Sequence, residues 1–169
     1  GSEVGSGTHT ITFPAAGTYR VYISGGTFSA IRFNNGGDRQ KILSIEAWGS
    51  TPWSTFNEAY YGCSNLVGNA TDTADVSAVT NMNEAFRGAS VFNQNMLGWD
   101  MSNVTDMSRM FEDASLFNQN IGGWNTASVA DMSSMFSDAT SFNQNIGSWN
   151  TTNVTNMSLM FSNATSFNQ

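Results

Sequence analysis

The segment FNQNIGSWNTTNVTNMSLMFSNATSFNQ, residues 142–169, decides the fold because its wording recurs through the chain. The word FNQN, a Trp and the pair MF appear in the same order at 117–136, and a close variant precedes that copy. The interval is 25 residues in every column from Val79 onward. The columns are Val79/Val104/Val129/Val154, Met82/Met107/Met132/Met157, Phe86/Phe111/Phe136/Phe161, Ala89/Ala114/Ala139/Ala164, Phe92/Phe117/Phe142/Phe167, Met96/Ile121/Ile146 and Trp99/Trp124/Trp149.

The spacing inside one repeat predicts a short helix followed by a short strand. Met107, Met110, Phe111 and Ala114 fall at i, i+3, i+4 and i+7, one face of a helical segment. The Gly-punctuated residues 118–124 favour an extended strand and a turn. A unit this small buries its apolar face only against another copy. We therefore predict an α/β solenoid, a right-handed superhelix of about 25-residue strand-plus-short-helix units.

The pattern continues towards the N-terminus with one extra residue and then changes. FNEAYYGCSNL, residues 56–66, aligns with residues 82–92, and residues 45–48 align with the later Ile-x-x-Trp. Residues 67–78 depart from the shared wording, which predicts an irregular strand there. Residues 8–44 alternate apolar and polar side chains, which predicts a first β-hairpin around residues 14–17 and a second strand pair joined at residues 34–37.

These boundaries predict two parts. Residues 1–44 form an N-terminal β-hairpin cap, in which the Gly-Ser at 1–2 is typical of a cloning remnant. Residues 45–169 form the solenoid, which we expect to be truncated within a repeat at its C-terminal end. An uncapped end of this kind would permit end-to-end self-association.

Composition excludes several classes of function. Charged residues make up only 11% of 169 residues, and the formal net charge of −7 argues against nucleic acid. No apolar run reaches the roughly 18 residues of a membrane helix, so we expect no membrane insertion within these residues. A lone cysteine, Cys63, excludes an internal disulfide framework.

Two segments resemble a known family. FNEAYYGCSNL at 56–66 is similar to the Ala-Phe-x-x-Cys-x-x-Leu segment of BspA-like leucine-rich repeats, and FNQNIGGWNTASVADMSSMF at 117–136 resembles the variant found in bacterial surface proteins and lipoproteins. The likeness covers residues 45–169. It implies a curved solenoid with parallel strands on the concave side, a cell-surface or extracellular location, and a role in adhesion or protein binding.

The residues that carry chemistry in other proteins give no catalytic pattern here. His9 is the only histidine and is far in sequence from any carboxylate cluster, and Cys63 occupies a small-residue core column, which favours a buried, inert thiol. No nucleophile has a base to activate it, and no phosphate loop or cofactor motif occurs. We expect no enzyme and no cofactor.

Recurring polar residues leave two readings open. Asp106 and Asp131 are one repeat apart and allow a weak calcium site, while helix capping explains them, and the pair Asp113 and Asp138, without a metal. The Trp column allows sugar stacking, but its phase with the core columns favours packing.

Two rows of asparagines favour different roles. We expect the row Asn93/Asn118/Asn143 to satisfy turn backbone along the stack, and the row Asn95/Asn120/Asn145 to face outward. The predicted ligand-binding surface on the concave face comprises Asn95, Leu97, Asn120, Gly122, Asn145 and Gly147.

The sequence thus predicts a non-catalytic cell-surface binding or adhesion module for host or matrix protein or glycan. One alternative is a structural stalk that spaces an active head from the cell. Another is ice or crystal binding by a threonine row, Thr80/Thr105/Thr155, which Ala130 interrupts.

Overall fold

The computed structural model describes residue 15, residues 17–21 and residues 29–169. Within these ranges the regular elements are few. A 3-10 helix spans Arg39–Lys41, and strands β1 (Ser44–Ile45) and β2 (Val67–Gly68) pair in parallel. Three isolated parallel bridges link consecutive members of one column, Asn81, Asp106, Asp131 and Asn156. Turns and irregular backbone make up the rest of the described chain.

The predicted solenoid of strand-plus-helix units, and with it the assignment as a leucine-rich repeat, is wrong. In the described ranges no α-helix forms at the Met107–Ala114 spacing, and no strand forms at residues 118–124. The backbone itself explains the missing helix. Arg109 and Asp113 have φ values of 55° and 61°, in the left-handed region, and a right-handed helix cannot pass through such residues.

Alternating hydrogen bonds replace the helix. The amides of Met107, Arg109 and Phe111 donate across to the carbonyl oxygens of Asp131, Ser133 and Met135, at 2.8–2.9 Å. The amides of Met110 and Glu112 donate within their own repeat, three residues back (both 3.2 Å), and the amide of Ser108 donates to the side chain of Asp106. The same alternation links residues 82–88 to 106–112 and residues 132–138 to 156–162. The spacing i, i+3, i+4, i+7 therefore belongs to a chain of tight turns, stacked on the turns of the next sequence repeat.

Aromatic rings fill the space between the turns. Within one repeat, the ring centroids of Phe111 and Phe117 are 3.8 Å apart, and between repeats those of Phe111 and Phe136 are 5.8 Å apart, with nearly parallel planes in both cases. Trp124 and Trp149 stack in the same manner at 6.3 Å. Stacked rings at the 5.8 and 6.3 Å separations contribute beyond their buried area.

The apolar columns form the core, as the sequence predicts. The Val, Met, Phe and Ala columns from Val79 to Phe142 are fully buried, and the Trp column is nearly so. Trp99 and Trp124 are each only 4% exposed, so their rings belong to the core and offer no face for stacking on a sugar.

The N-terminal prediction is tested only in part. Most of the predicted first hairpin, and His9, lie outside the described residues. The second predicted strand pair, joined at residues 34–37, does not form, because these residues make turns that lead into the 3-10 helix. The amides of Phe33 and Asn34 donate instead to the carbonyl oxygens of Ala59 and Glu58 (3.0 and 3.2 Å). These bonds join residues 29–44 to residues about one repeat length later in the sequence. The division of the chain at residue 44 stays a prediction.

Candidate functional site

Three predicted site residues form one row on the surface, which we call the amide row: Asn95, Asn120 and Asn145. Each side-chain Oδ1 accepts the amide two residues on, from Leu97 (3.0 Å), Gly122 (3.1 Å) and Gly147 (2.9 Å). This local bond is the usual Asx turn of asparagine. All three asparagines are exposed, and within the described chain no protein atom accepts a hydrogen bond from their Nδ2 groups. Each turn therefore holds one amide ready to donate two hydrogen bonds outward.

Close stacking fixes the spacing of the row. A Cβ added at Gly122 would lie 2.4 Å from the backbone carbonyl oxygen of Asn145, so only glycine fits there. Leu97 occupies the same column one repeat earlier and is 51% exposed. The six predicted residues are thus brought to one surface, but by turns and not by the concave strands that the sequence predicted.

The other asparagine row serves the stack, as expected. The Oδ1 atoms of Asn93, Asn118 and Asn143 each accept a backbone amide 25 residues later, at 2.9–3.0 Å. Glutamine side chains one position further on, such as Gln119, donate to the same oxygens. This row satisfies backbone groups that would otherwise need water.

Asp106 and Asp131 have structural partners. The Oδ1 atom of each accepts the amide and the hydroxyl two residues on, Ser108 and Ser133, at 2.6–2.9 Å. Partial burial acts to raise the pKa of Asp131, but hydrogen bonds from Ser133 and Asn156 outweigh it, so its pKa lies below the ordinary value. No group of three or more His, Cys, Asp or Glu side chains able to hold a metal occurs in the described ranges. Calcium binding at Asp106 and Asp131 stays a prediction.

The remaining acidic row has a conformational role. Asp113, Asp138 and Asn163 have φ between 56° and 61°, and Gly88 takes the equivalent place one repeat earlier. Asp and Asn are the side chains that best tolerate this conformation after glycine. The recurrence of these residues in sequence therefore reflects a turn.

Cys63 is fully buried, as predicted. Burial raises the pKa of its thiol to about 12, although the charge of Arg39 acts in the opposite direction. The thiol is therefore protonated at neutral pH, and a protonated thiol is a poor nucleophile.

A cluster of charged side chains forms ion pairs among residues 84–112. Glu84, only 8% exposed, pairs with Arg87 at 2.8 Å and with Arg109 at 3.2 Å, and Arg87 also pairs with Glu112. Burial raises the pKa of Glu112 despite the two nearby guanidinium groups. The pairs Glu84–Arg109 and Arg87–Glu112 join neighbouring sequence repeats, whereas Glu84–Arg87 lies within one, and the amide row itself carries no charge.

A cavity at the irregular segment was missed by the sequence reasoning. An open space of about 520 Å³ is lined by residues 70–73 and by five residues between Gln94 and Trp99, among them Asn95 and Leu97 of the predicted surface. The departure from the shared pattern at residues 67–78 is the sequence signal that coincides with this cavity.

The protein is therefore a stack of turns, and its surface carries one exposed, neutral asparagine amide per sequence repeat in the amide row. Residues 54–169 match the family described as "Mycoplasma protein of unknown function, DUF285", and the chain belongs to that family. No curated protein and no solved structure matches the chain. Within the described ranges, no helix has the length and apolar character needed to cross a membrane.

Proposed function

We propose that this chain is a non-catalytic binding module of a cell-surface protein, which attaches its owner to host or matrix macromolecules, protein or glycan, outside the cell. The observation that carries the proposal is the amide row. Its three exposed Nδ2 groups recur one per repeat, and each is held by its own Asx turn. Donors fixed in this way lose little conformational freedom on binding.

Charge and spacing support a neutral partner. A single amide contributes little affinity, but three at a fixed interval act together on a partner that carries repeated acceptors. The resemblance of residues 45–169 to the repeats of BspA-like surface proteins supports the extracellular location. End-to-end self-association stays a separate expectation, which sedimentation measures.

The test separates the roles of the two polar atoms of each asparagine side chain, Oδ1 in the turn and Nδ2 facing outward. Asn95→Asp, Asn120→Asp and Asn145→Asp together keep the Oδ1 acceptor of each turn and replace the outward donor with an acceptor. We expect the triple variant to lose binding on an array of matrix proteins and glycans while its thermal unfolding stays close to that of the wild type.

The chain supplies a matched control. Asn125 and Asn150 make the same turn in another column, where Asp100 stands naturally and accepts the amide of Ser102 at 3.0 Å. Asn125→Asp with Asn150→Asp adds negative charge without touching the amide row, so binding should persist. Equal binding by the triple variant and the wild type would overturn the role of the row, and no binding by any form would favour a stalk.

A further inference from the structure

The irregular segment leaves two buried polar atoms unpaired beside the cavity. Trp99 Nε1 and Gln94 Oε1 have no hydrogen-bond partner in the described part of the chain, although Trp99 is 4% and Gln94 5% exposed. Both side chains line the cavity of about 520 Å³. Buried polar atoms without partners are costly, and each one calls for an explanation.

The regular stack shows what is missing. Trp124 Nε1 donates to the carbonyl oxygen of Met96 (3.0 Å), and Trp149 Nε1 donates to that of Ile121 (3.1 Å), in both cases 28 residues earlier. The same offset from Trp99 reaches Thr71, inside the irregular segment, where no such bond forms.

Gln94 is displaced in a related way. Its Nε2 donates to the carbonyl oxygen of Ala70 (2.7 Å), whereas Gln119, its equivalent in the next repeat, donates to an asparagine side chain. This bond fixes the Gln94 amide, so its Oε1 is left as an acceptor. A Cβ at Gly68 would meet that oxygen at 2.4 Å, so the amide is also packed in place.

We propose that this cavity binds one sugar ring of a neutral glycan, with adjacent hydroxyls donating to Gln94 Oε1 and accepting from Trp99 Nε1. A hydroxyl both donates and accepts without carrying charge, and a sugar ring presents neighbouring hydroxyls within one compact group, so a single ring can satisfy both atoms. The volume lies within the range of small-molecule sites, about 300–1,000 Å³.

The surroundings favour a neutral ligand. Asp72, the one carboxylate among the lining residues, already accepts the amides of Trp48 and Gly49 at 2.8–3.1 Å. Asn95 adds an outward amide at the rim, and Leu97, 51% exposed, supplies an apolar contact for the C–H face of a ring. Both unpaired atoms are shielded from water in the free protein, so contact with a ligand requires side chains at the cavity wall to move.

This inference rests on the proposed function and names the chemistry of its ligand. The test titrates the ¹⁵N-labelled chain with glucose, galactose, mannose and N-acetylglucosamine, and follows the indole N–H signals by NMR. We expect one of these sugars to give a saturable shift of the Trp99 signal, with the Trp124 signal unmoved.

Two variants with controls locate the site. Trp99→Phe removes the donor and should weaken binding of that sugar about tenfold, which corresponds to the loss of one hydrogen bond. Thr71→Trp places a large side chain at the cavity and should abolish binding, whereas Ala78→Trp, exposed and outside the cavity, should not.

The outcomes separate this inference from the proposed function. If none of the four sugars shifts the Trp99 signal, or if Thr71→Trp binds like the wild type, the cavity is not a sugar site. Array binding that the amide-row variant still abolishes would leave the proposed function standing in that case. Array binding to proteins alone would likewise overturn only the sugar site.

Discussion

The regular region is residues 79–169, and the irregular segment is residues 67–78. Both belong to the same stack of turns, but their buried polar groups differ in how they find hydrogen-bond partners. In the first region each repeat carries the acceptors that the next repeat's side chains need, as Met96 does for Trp124. The second region has a different spacing and supplies no acceptor to the Trp99 indole of the first region, and a cavity lies between residues 70–73 and that ring. A repeated sequence therefore satisfies buried groups column by column, and a local change of spacing leaves a group such as Trp99 Nε1 without the partner that its column has elsewhere.

The largest expected effect breaks the regular region itself. Phe111→Ala removes a fully buried ring that stacks on Phe86, Phe117 and Phe136. We expect the free energy of unfolding to fall by about 3–5 kcal/mol, measured by chemical denaturation. Leu116→Ala, at an exposed side chain nearby, should cost less than about 0.5 kcal/mol. A similar loss of unfolding free energy in both variants would contradict the conclusion that the stacked rings stabilise the core.

A second substitution tests how tightly the regular turns approach one another. Gly122→Ala places a methyl group against the carbonyl oxygen of Asn145 and should cost about 1–3 kcal/mol, because the backbone must shift. Gly123→Ala meets only a Leu97 methyl at 3.5 Å and should be nearly neutral. Equal thermal stability of the two variants would mean that the turns are less closely stacked than the structure shows.

The two tryptophans compare the regions directly. Trp124→Phe loses the bond to the carbonyl oxygen of Met96, which then keeps only the bond from the Trp99 amide (3.1 Å), whereas Trp99→Phe loses no side-chain hydrogen bond. Since both remove a similar volume, we expect Trp124→Phe to be more destabilising by about 1–2 kcal/mol in denaturant unfolding. The reverse order would show that the Trp99 indole is paired in solution.

The smallest effect concerns acid. The hydrogen bonds that hold the pKa of Asp131 below its ordinary value stabilise the folded state above the unfolded-state pKa, about 3.9, and this contribution is lost as pH falls through the lower folded-state value. Asp131→Asn cannot be protonated in this range. We therefore expect its stability to fall less steeply below about pH 4 than that of the wild type, as measured by thermal unfolding at a series of pH values. Identical acid profiles would contradict the depressed pKa.

The surface row was predictable from the sequence, its geometry was not, and its role in binding stays a prediction. Counting columns is enough to place Asn95, Asn120 and Asn145 on one surface, because equivalent residues of stacked repeats lie side by side. Their support by Asx turns was not predicted, since an extended strand and a row of turns share the same polar spacing. The cavity depends on how residues 70–73 pass Trp99, a contact between segments that no local pattern records.

The sequence by itself determined the period, the buried columns and the inert position of Cys63, because burial follows from an apolar side chain that recurs in register. The sequence also predicted a helix at residues 107–114, and only the tertiary structure showed that turns form there instead. The amides of Met107 and Phe111 donate to carbonyl oxygens of the next repeat and not to carbonyl oxygens of their own. Arg109 and Asp113 have left-handed backbone conformations, which are compatible with these bonds. Contacts between repeats override local helix propensity here. Each buried backbone group needs a hydrogen-bond partner, and the neighbouring repeat supplies it.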